Sequence, residues 1–343
     1  MTVNPMDLGD NDRFLALSPE RPPLPYTKGW RFTVQSHVPP PPTPVIHENL
    51  RYTDSDFDKL ERLSPIDFCL LLPPLPGEKG SNTLDLEIVD LIAVGEPRNC
   101  QVFTVKALQG ISEKPLPSIL LAKVYDPLYF DDTNYWMAGY RFMDRSYTHE
   151  TLASSENTTY GSYSVDISIE TPKGIIARPV RLILIEYIPG TDMQKVTPSN
   201  FSQEDRQQIM KNIVDIETSI HAKNILLCDC CPRNIILPES NPTNVKFIDF
   251  DAVWFDRRPD DAHPFLLIGH KFLGQYITPL YQWRQKPRRK FGDWVDWDWK
   301  PWLQVEFAHT ASTITPEIRD RFGPRPGDLG EDCENRKDQQ IEC

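Results

Sequence analysis

The sequence predicts an α+β protein in which a sheet-rich region precedes a helical one, and three observations carry that expectation. Between residues 84 and 188, runs of branched and aromatic residues are separated by Gly, Pro and Asn breaks, as successive strands are. From residue 202 the apolar residues recur at helical spacing instead. Prolines crowd the start of the chain: 14 of the 33 lie in the first 80 residues, including "RPPLP" (21–25) and "PPPPTP" (39–44), where neither helix nor central strand is expected.

Taken in order, residues 1–80 read as a proline-rich N-terminal arm, partly disordered, with one short helix over "DSDFDKLERL" (54–63). Polyproline II over residues 21–44 would suit a proline-recognition partner of the SH3 or WW kind. Strands are expected over "LDLEIVDLIAVG" (84–95), "CQVFTVKAL" (100–108), "SILLAKVYD" (118–126), "YSVDISIE" (163–170) and "RPVRLILIEYI" (178–188). The period then changes in "SQEDRQQIMKNIVDIETSIHAK" (202–223). There Ser202 and Asp205 make a capping box, and Ile209, Ile213, Ile216 and Ile220 recur at spacings of four, three and four. A loop, the short strand "IIL" (235–237), a turn "PESNPTN" and a strand "VKFIDFD" (245–251) follow. Residues 325–343 are polar and acidic and read as a disordered tail.

Composition narrows the function classes. A formal net charge of −12 over 343 residues argues against nucleic acid as the main partner, because affinity for a polyanion rests on Lys and Arg at phosphates. The apolar runs "FCLLL" and "RLILIEYI" are far shorter than the roughly 20 residues a membrane-spanning helix needs, and no signal peptide is readable at "MTVNPMDLGDND". Seven cysteines, an odd number, do not resemble a secreted disulfide framework and suit a reducing compartment. The expectation is an intracellular protein, cytoplasmic or nuclear. One basic run, "RQKPRRK" (284–290), goes against the acidic trend and reads either as a nuclear-localisation or phosphate-contact patch or as a solvated loop.

The chemistry concentrates in "ILLCDCCPRNIILPES" (225–240). Its Cys228, Cys230 and Cys231 supply three thiols to a metal or redox cluster, but no second pair at Cys-x-x-Cys spacing accompanies them, and the neighbouring His221 falls on the helix as a packing residue. Its Asp229 and Asn234, five positions apart and followed by Asp249 beyond a hairpin, form a different set. They offer a carboxylate able to take a proton from a hydroxyl, then oxygen ligands for a hard cation. Alternation along the strand would point Asp249 and Asp251 to opposite faces, so Asp249 alone is kept. The tryptophans of "WVDWDWKPW" (294–302) read as packing.

The Asp229, Asn234 and Asp249 order resembles the protein-kinase fold, closest to divergent fungal kinase-like proteins and the aminoglycoside and choline phosphotransferase type, whose members read like "HxxGVLHGDLxPRNIL" followed by "IDF". The likeness covers roughly residues 84–256 and is strongest at 217–251. It implies a two-lobed fold, with a sheet-rich N-lobe over 81–188 and a helical C-lobe over 189–324, together with ATP and Mg²⁺. Asp229 would be the catalytic base, and Asn234 and Asp249 would hold the metal. In "LLAKVYD" Lys123 would bind the nucleotide phosphates, steadied by Glu150 of "SYTHETLA". Gly95 would remain from a phosphate-covering loop. Glu186, Tyr187 and Ile188 of "ILIEYIPG" would offer hinge backbone to adenine. The chain departs from the family at Leu227-Cys228-Asp229, which lacks the loop histidine, at Asp249-Phe250-Asp251 in place of Asp-Phe-Gly, and in having no Ala-Pro-Glu segment. These departures favour a phosphotransferase with a small hydroxyl acceptor over a regulated protein kinase. The alternative is a pseudokinase or scaffold that binds nucleotide weakly or not at all.

Overall fold

A long antiparallel sheet forms first. In the computed structural model, which describes residues 21–42, 52–60, 62–95, 99–112, 115–130, 138–154, 159–171, 174–255, 274–284 and 287–323, six strands are hydrogen-bonded in a closed order. They are β1 (Arg31–Val38), β2 (Glu78–Ala93), β3 (Gln101–Gly110), β4 (Leu120–Tyr125), β5 (Thr159–Thr171) and β6 (Gly174–Glu186), arranged β1-β2-β3-β4-β6-β5 with β5 returning to β1. Alternation along each strand sends one set of side chains inward, where Leu84, Leu86, Ile88, Phe103, Val105, Val180, Leu182 and Leu184 are buried together. Each fully buried side chain of this kind contributes roughly 1.5–3 kcal/mol.

The start of this unit differs from a free arm. Residues 31–38, "RFTVQSHV", sit between the two proline clusters and alternate apolar and polar residues, so β1 pairs with β2 and β5 inside the sheet. Upstream, Leu24 packs on the barrel, Tyr26 is only 2% exposed and the Pro23 carbonyl accepts from the Tyr129 hydroxyl at 3.0 Å. The segment 21–26 is therefore engaged by its own fold, within the 21–44 stretch expected to suit a proline-recognition partner. Residues 1–20 and 43–51 lie outside the described residues. Two short helices follow, α1 (Asp54–Leu60) and α2 (Pro65–Leu71), the second capped by Ser64.

One buried ionic group anchors the barrel to its N-terminal segment. Arg178 on β6 donates to both carboxylate oxygens of Asp126 at 2.5 Å, and Tyr26 donates its hydroxyl to the same carboxylate at 2.5 Å. Burial, then the Asp126 charge, push the Tyr26 phenol well above its usual range.

Helix α3 (Gly139–Ser154) packs on the outer face of the barrel. There Phe142, Met143 and Tyr147 meet Tyr125 and Ile183.

The chain divides after Tyr187, and the second unit runs from Ile188. Its centre is α4 (Gln203–Ala222), whose N-cap Ser202 accepts from the Asp205 N–H and donates to the Asp205 carboxylate at 2.9 Å. The buried face is Arg206, Ile209, Met210, Ile213, Val214, Glu217, Thr218 and His221, an unbroken i, i+3, i+4, i+7 series. Ile216 and Ile220, which the sequence pattern assigns to the stripe, lie on its half-buried flank instead. Around this face gather Trp283, Phe291, Trp294, Trp299, Leu303 and Phe307. They come from α5 (Pro279–Gln282), α6 (Pro287–Lys290), α7 (Trp299–Glu306) and their connections, and α8 (Pro316–Phe322) closes the described chain. The tryptophans pack as expected. The Trp299 indole donates to the Trp283 carbonyl and the Trp283 indole to Glu217, both at 2.9 Å.

Five short strands complete this unit. They are β7 (Gly190–Asp192), β8 (Ile225–Leu227), β9 (Ile235–Pro238), β10 (Lys246–Phe247) and β11 (Val253–Phe255), paired β10-β9-β7 and β11-β8. Gly190 permits the close approach of β7 to β9, since a Cβ there would lie 2.4 Å from the Leu237 carbonyl oxygen. The architecture is α+β. Among the described residues no helix is long and apolar enough to cross a membrane. The acidic segment 325–343 lies outside the described residues.

Candidate functional site

Strand alternation decides where Lys123 points. On β4, Leu120, Ala122 and Val124 enter the barrel, so Lys123 and Tyr125 face outward toward α3. Glu150 lies one helical turn beyond Tyr147 on the buried face of α3 and receives both. The Lys123 Nζ and Glu150 Oε2 are 2.5 Å apart, and the Tyr125 hydroxyl donates to the same oxygen at 2.6 Å. The two ionic side chains are 8% and 1% exposed, so this is a desolvated ion pair rather than a surface one. Burial, and next the Glu150 charge, hold the Tyr125 phenol well above its usual range. The sequence identified Lys123 and Glu150 and missed Tyr125, which was accessible as the residue two positions along the same strand face.

In the second unit the loop after β8 carries Asp229. The Asn234 amide nitrogen donates to the Asp229 carbonyl at 3.0 Å and to its Oδ2 at 2.9 Å, which turns the Asn234 Oδ1 away from the aspartate. The β9–β10 register places Phe247 opposite Ile235, and the next bond runs from the Ile248 N–H to the Asn234 carbonyl at 2.9 Å. Asp249 therefore follows directly on the residue bonded to Asn234. It is not a strand residue. Its φ is +67°, a left-handed conformation costly for a non-glycine side chain, so the alternation argument about Asp249 and Asp251 does not apply. The strand ends at Phe247, four residues earlier than the pattern "VKFIDFD" suggests.

Three further groups surround Asp229. Arg233 donates to its Oδ2, the Cys231 thiol donates to Oδ1 at 3.3 Å, and the Lys290 Nζ lies 3.9 Å from Oδ1 while bonding the Cys228 carbonyl at 3.3 Å. Burial, and then the adjacent Asp229 charge, push the Cys231 thiol up despite the two cations. That direction favours the thiol as donor over the thiolate. Among the described residues no group of three or more His, Cys, Asp or Glu is placed to hold a metal, and Cys69, Cys100, Cys228, Cys230 and Cys231 are not joined in disulfides. The oxygen donors at Asn234 and Asp249 are of the hard kind that suits Mg²⁺, which takes one or two protein ligands beside water and phosphate.

A pocket of about 360 Å³ opens on Asp229, with Arg233 and Lys290 beside it and Met193, Val196 and Trp294 on its apolar side. Its volume suits a small molecule. The sequence pointed to Asp229 and to the basic run containing Lys290 but did not connect them. Lys290 reaches Asp229 through tertiary packing of α6, which no local pattern reveals.

The remaining expected residues sit as follows. Gly95 ends the β2 side of the β2–β3 turn, but its N–H donates to the Gln101 side chain at 2.8 Å and its carbonyl accepts from it at 3.2 Å. Both backbone groups are thus bonded to the Gln101 side chain. Residues 96–98 of that turn lie outside the described residues. Glu186 ends β6 opposite Leu120 and is exposed, as is Tyr187, and Ile188 is half-buried. No protein-family model matches this chain, and no curated protein matches it either.

Proposed function

We propose that the protein is an ATP- and Mg²⁺-dependent phosphotransferase acting on a hydroxyl group of a small molecule. The observation that carries this is the grouping of Asp229, Asn234 and Asp249 in one unit, with Asp249 held in a left-handed backbone conformation and Asp229 opening on a pocket. The buried Lys123–Glu150 pair adds to it, being a cation whose position is fixed by a carboxylate.

In this reaction Asp229 orients the acceptor hydroxyl and takes its proton. The acceptor oxygen forms a bond to the γ-phosphorus, the bond from that phosphorus to the β,γ-bridging oxygen breaks, and ADP leaves with the bond electrons. In the second unit, Asn234 through Oδ1 and Asp249 through its carboxylate would hold the cation. Bound Mg²⁺ would neutralise charge on the transferring phosphates. The test is transfer of labelled γ-phosphate to a panel of hydroxyl compounds. Wild type is expected to transfer, and Asp229→Ala to lose on the order of a hundredfold or more. A purified chain that binds no nucleotide sinks the assignment.

One observation favours a second reading, a pseudokinase or scaffold. Both oxygens of Asp229 already accept from Arg233, Asn234 and the Cys231 thiol, so the base is engaged at rest. Nucleotide binding without transfer to any acceptor would select it.

A further inference from the structure

We infer that the pocket beside Asp229 takes a hydroxyl acceptor that also bears an anionic group, a carboxylate or a phosphate, received by Arg233 and Lys290. The identity of the occupant as an acceptor rests on the phosphotransferase reading; the charge it carries rests on the pocket.

The charged groups lining the pocket are Asp229, Asp293, Arg233 and Lys290. The two cations balance the two carboxylates, so a further anion is received as Arg233 or Lys290 turns from Asp229 toward it. Arg233 is the stronger receptor, because a guanidinium presents parallel N–H donors that match a carboxylate or phosphate edge. Its side chain is 59% exposed and Lys290 is 43% exposed, so both can turn to a ligand without leaving a buried charge behind. In the structure each faces the nearest anion, the Asp229 carboxylate. An acceptor anion would draw the guanidinium away from Oδ2, which keeps its bond from the Asn234 amide, and so open one acceptor position where the hydroxyl arrives. Binding and activation would be coupled through one side chain. Met193, Val196 and Trp294 offer the same molecule an apolar wall, which favours a carbon body over a bare inorganic anion.

The experiment compares acceptors that share a skeleton and differ in charge. Glycerol, glycerate and glycerol 3-phosphate form one set, pantothenyl alcohol and pantothenate a second, and choline supplies the opposite sign. Phosphoryl transfer, calorimetric binding of each compound and calorimetric binding of ATP with Mg²⁺ are measured on the full chain. An anionic member is expected to exceed its neutral partner at least tenfold in kcat/KM, and the first set separates carboxylate from phosphate. Arg233→Gln is expected to raise KM for the anionic acceptor about tenfold or more relative to its neutral partner, and Arg233→Lys to recover part of that difference. A simple structural role for Arg233 would instead weaken all acceptors alike and would overturn the inference. Transfer that prefers a neutral alcohol or choline also overturns it and leaves the phosphotransferase standing. Arg233-dependent binding of the anions without nucleotide binding supports the pocket and removes the phosphotransferase. Neither anion binding nor transfer overturns both.

Discussion

Replacing Lys123 by Met while keeping Glu150 leaves a carboxylate at 1% exposure without the ammonium that now lies 2.5 Å away. Breaking one side of a buried pair typically costs about 3–5 kcal/mol, whereas removing both charges together is often close to neutral. For a unit the size of residues 1–187, 1 kcal/mol corresponds to about 2–4 °C, so Lys123→Met should lower Tm by roughly 10 °C. The double variant Lys123→Met/Glu150→Gln keeps an acceptor for the Tyr125 hydroxyl and should return to within about 1 kcal/mol of wild type. Stability and function should then separate, because the restored double variant still lacks the cation for phosphate. Thermal unfolding with and without ATP and Mg²⁺ reads both quantities. A double variant no more stable than Lys123→Met alone, or one that keeps the full nucleotide-induced shift, would refute the assignment of this pair.

The half-buried Asp144 accepts from the Leu75 N–H at 3.0 Å, and burial pushes its carboxyl up from 3.8 to about 6. Because the folded state holds this proton more tightly, the contribution is complete below about pH 4 and is lost as pH rises through 6. Asp144→Asn keeps an acceptor for Leu75 and should gain up to about 3 kcal/mol at pH 7.5 while changing little at pH 4; equal urea midpoints at both pH values would contradict this. Asp249→Gly relieves the left-handed strain, worth about 1–2 kcal/mol, against a chain-entropy loss of about 0.4–1 kcal/mol. A small net stabilisation with loss of the Mg²⁺ dependence of ATP binding is expected, and a destabilisation above about 1 kcal/mol would show that the Asp249 carboxylate supports the fold instead. Cys231, buried and with its thiol pushed up, should resist iodoacetamide at neutral pH by mass spectrometry, while the half-buried Cys228 reacts; preferential labelling of Cys231 would show that a thiolate sits beside Asp229.

Local pattern carried the five strands from residue 84 to 188 and the capped helix from Ser202, because each repeats over enough residues to define its period. The β1 strand was hidden by its prolines, which mark the ends of "RFTVQSHV" but dominate the composition around it. The helix stripe was displaced by one flank because the buried face includes Arg206, Glu217 and His221, polar residues that an apolar count passes over. At the site, spacing placed Asp229, Asn234 and Asp249 in order, and the hairpin register sets Asp249 next to the residue whose N–H bonds the Asn234 carbonyl. Backbone conformation at Asp249 was not legible, since aspartate enters positive φ more readily than most residues but does so at few of its positions. Nor was the approach of Lys290, which crosses 61 positions to reach Asp229 through the packing of α6.

The measurement that bears most directly on the central claim is a calorimetric titration of the full chain with ATP, with Mg²⁺ and with chelator, in wild type and in Asp249→Asn. Wild type should bind nucleotide, and bind it markedly more tightly with Mg²⁺, while Asp249→Asn should lose most of the Mg²⁺ effect and keep the metal-free affinity. Equal affinity with Mg²⁺ and with chelator in wild type, or a Mg²⁺ effect untouched in Asp249→Asn, would contradict the assignment of Asp249 to the cation.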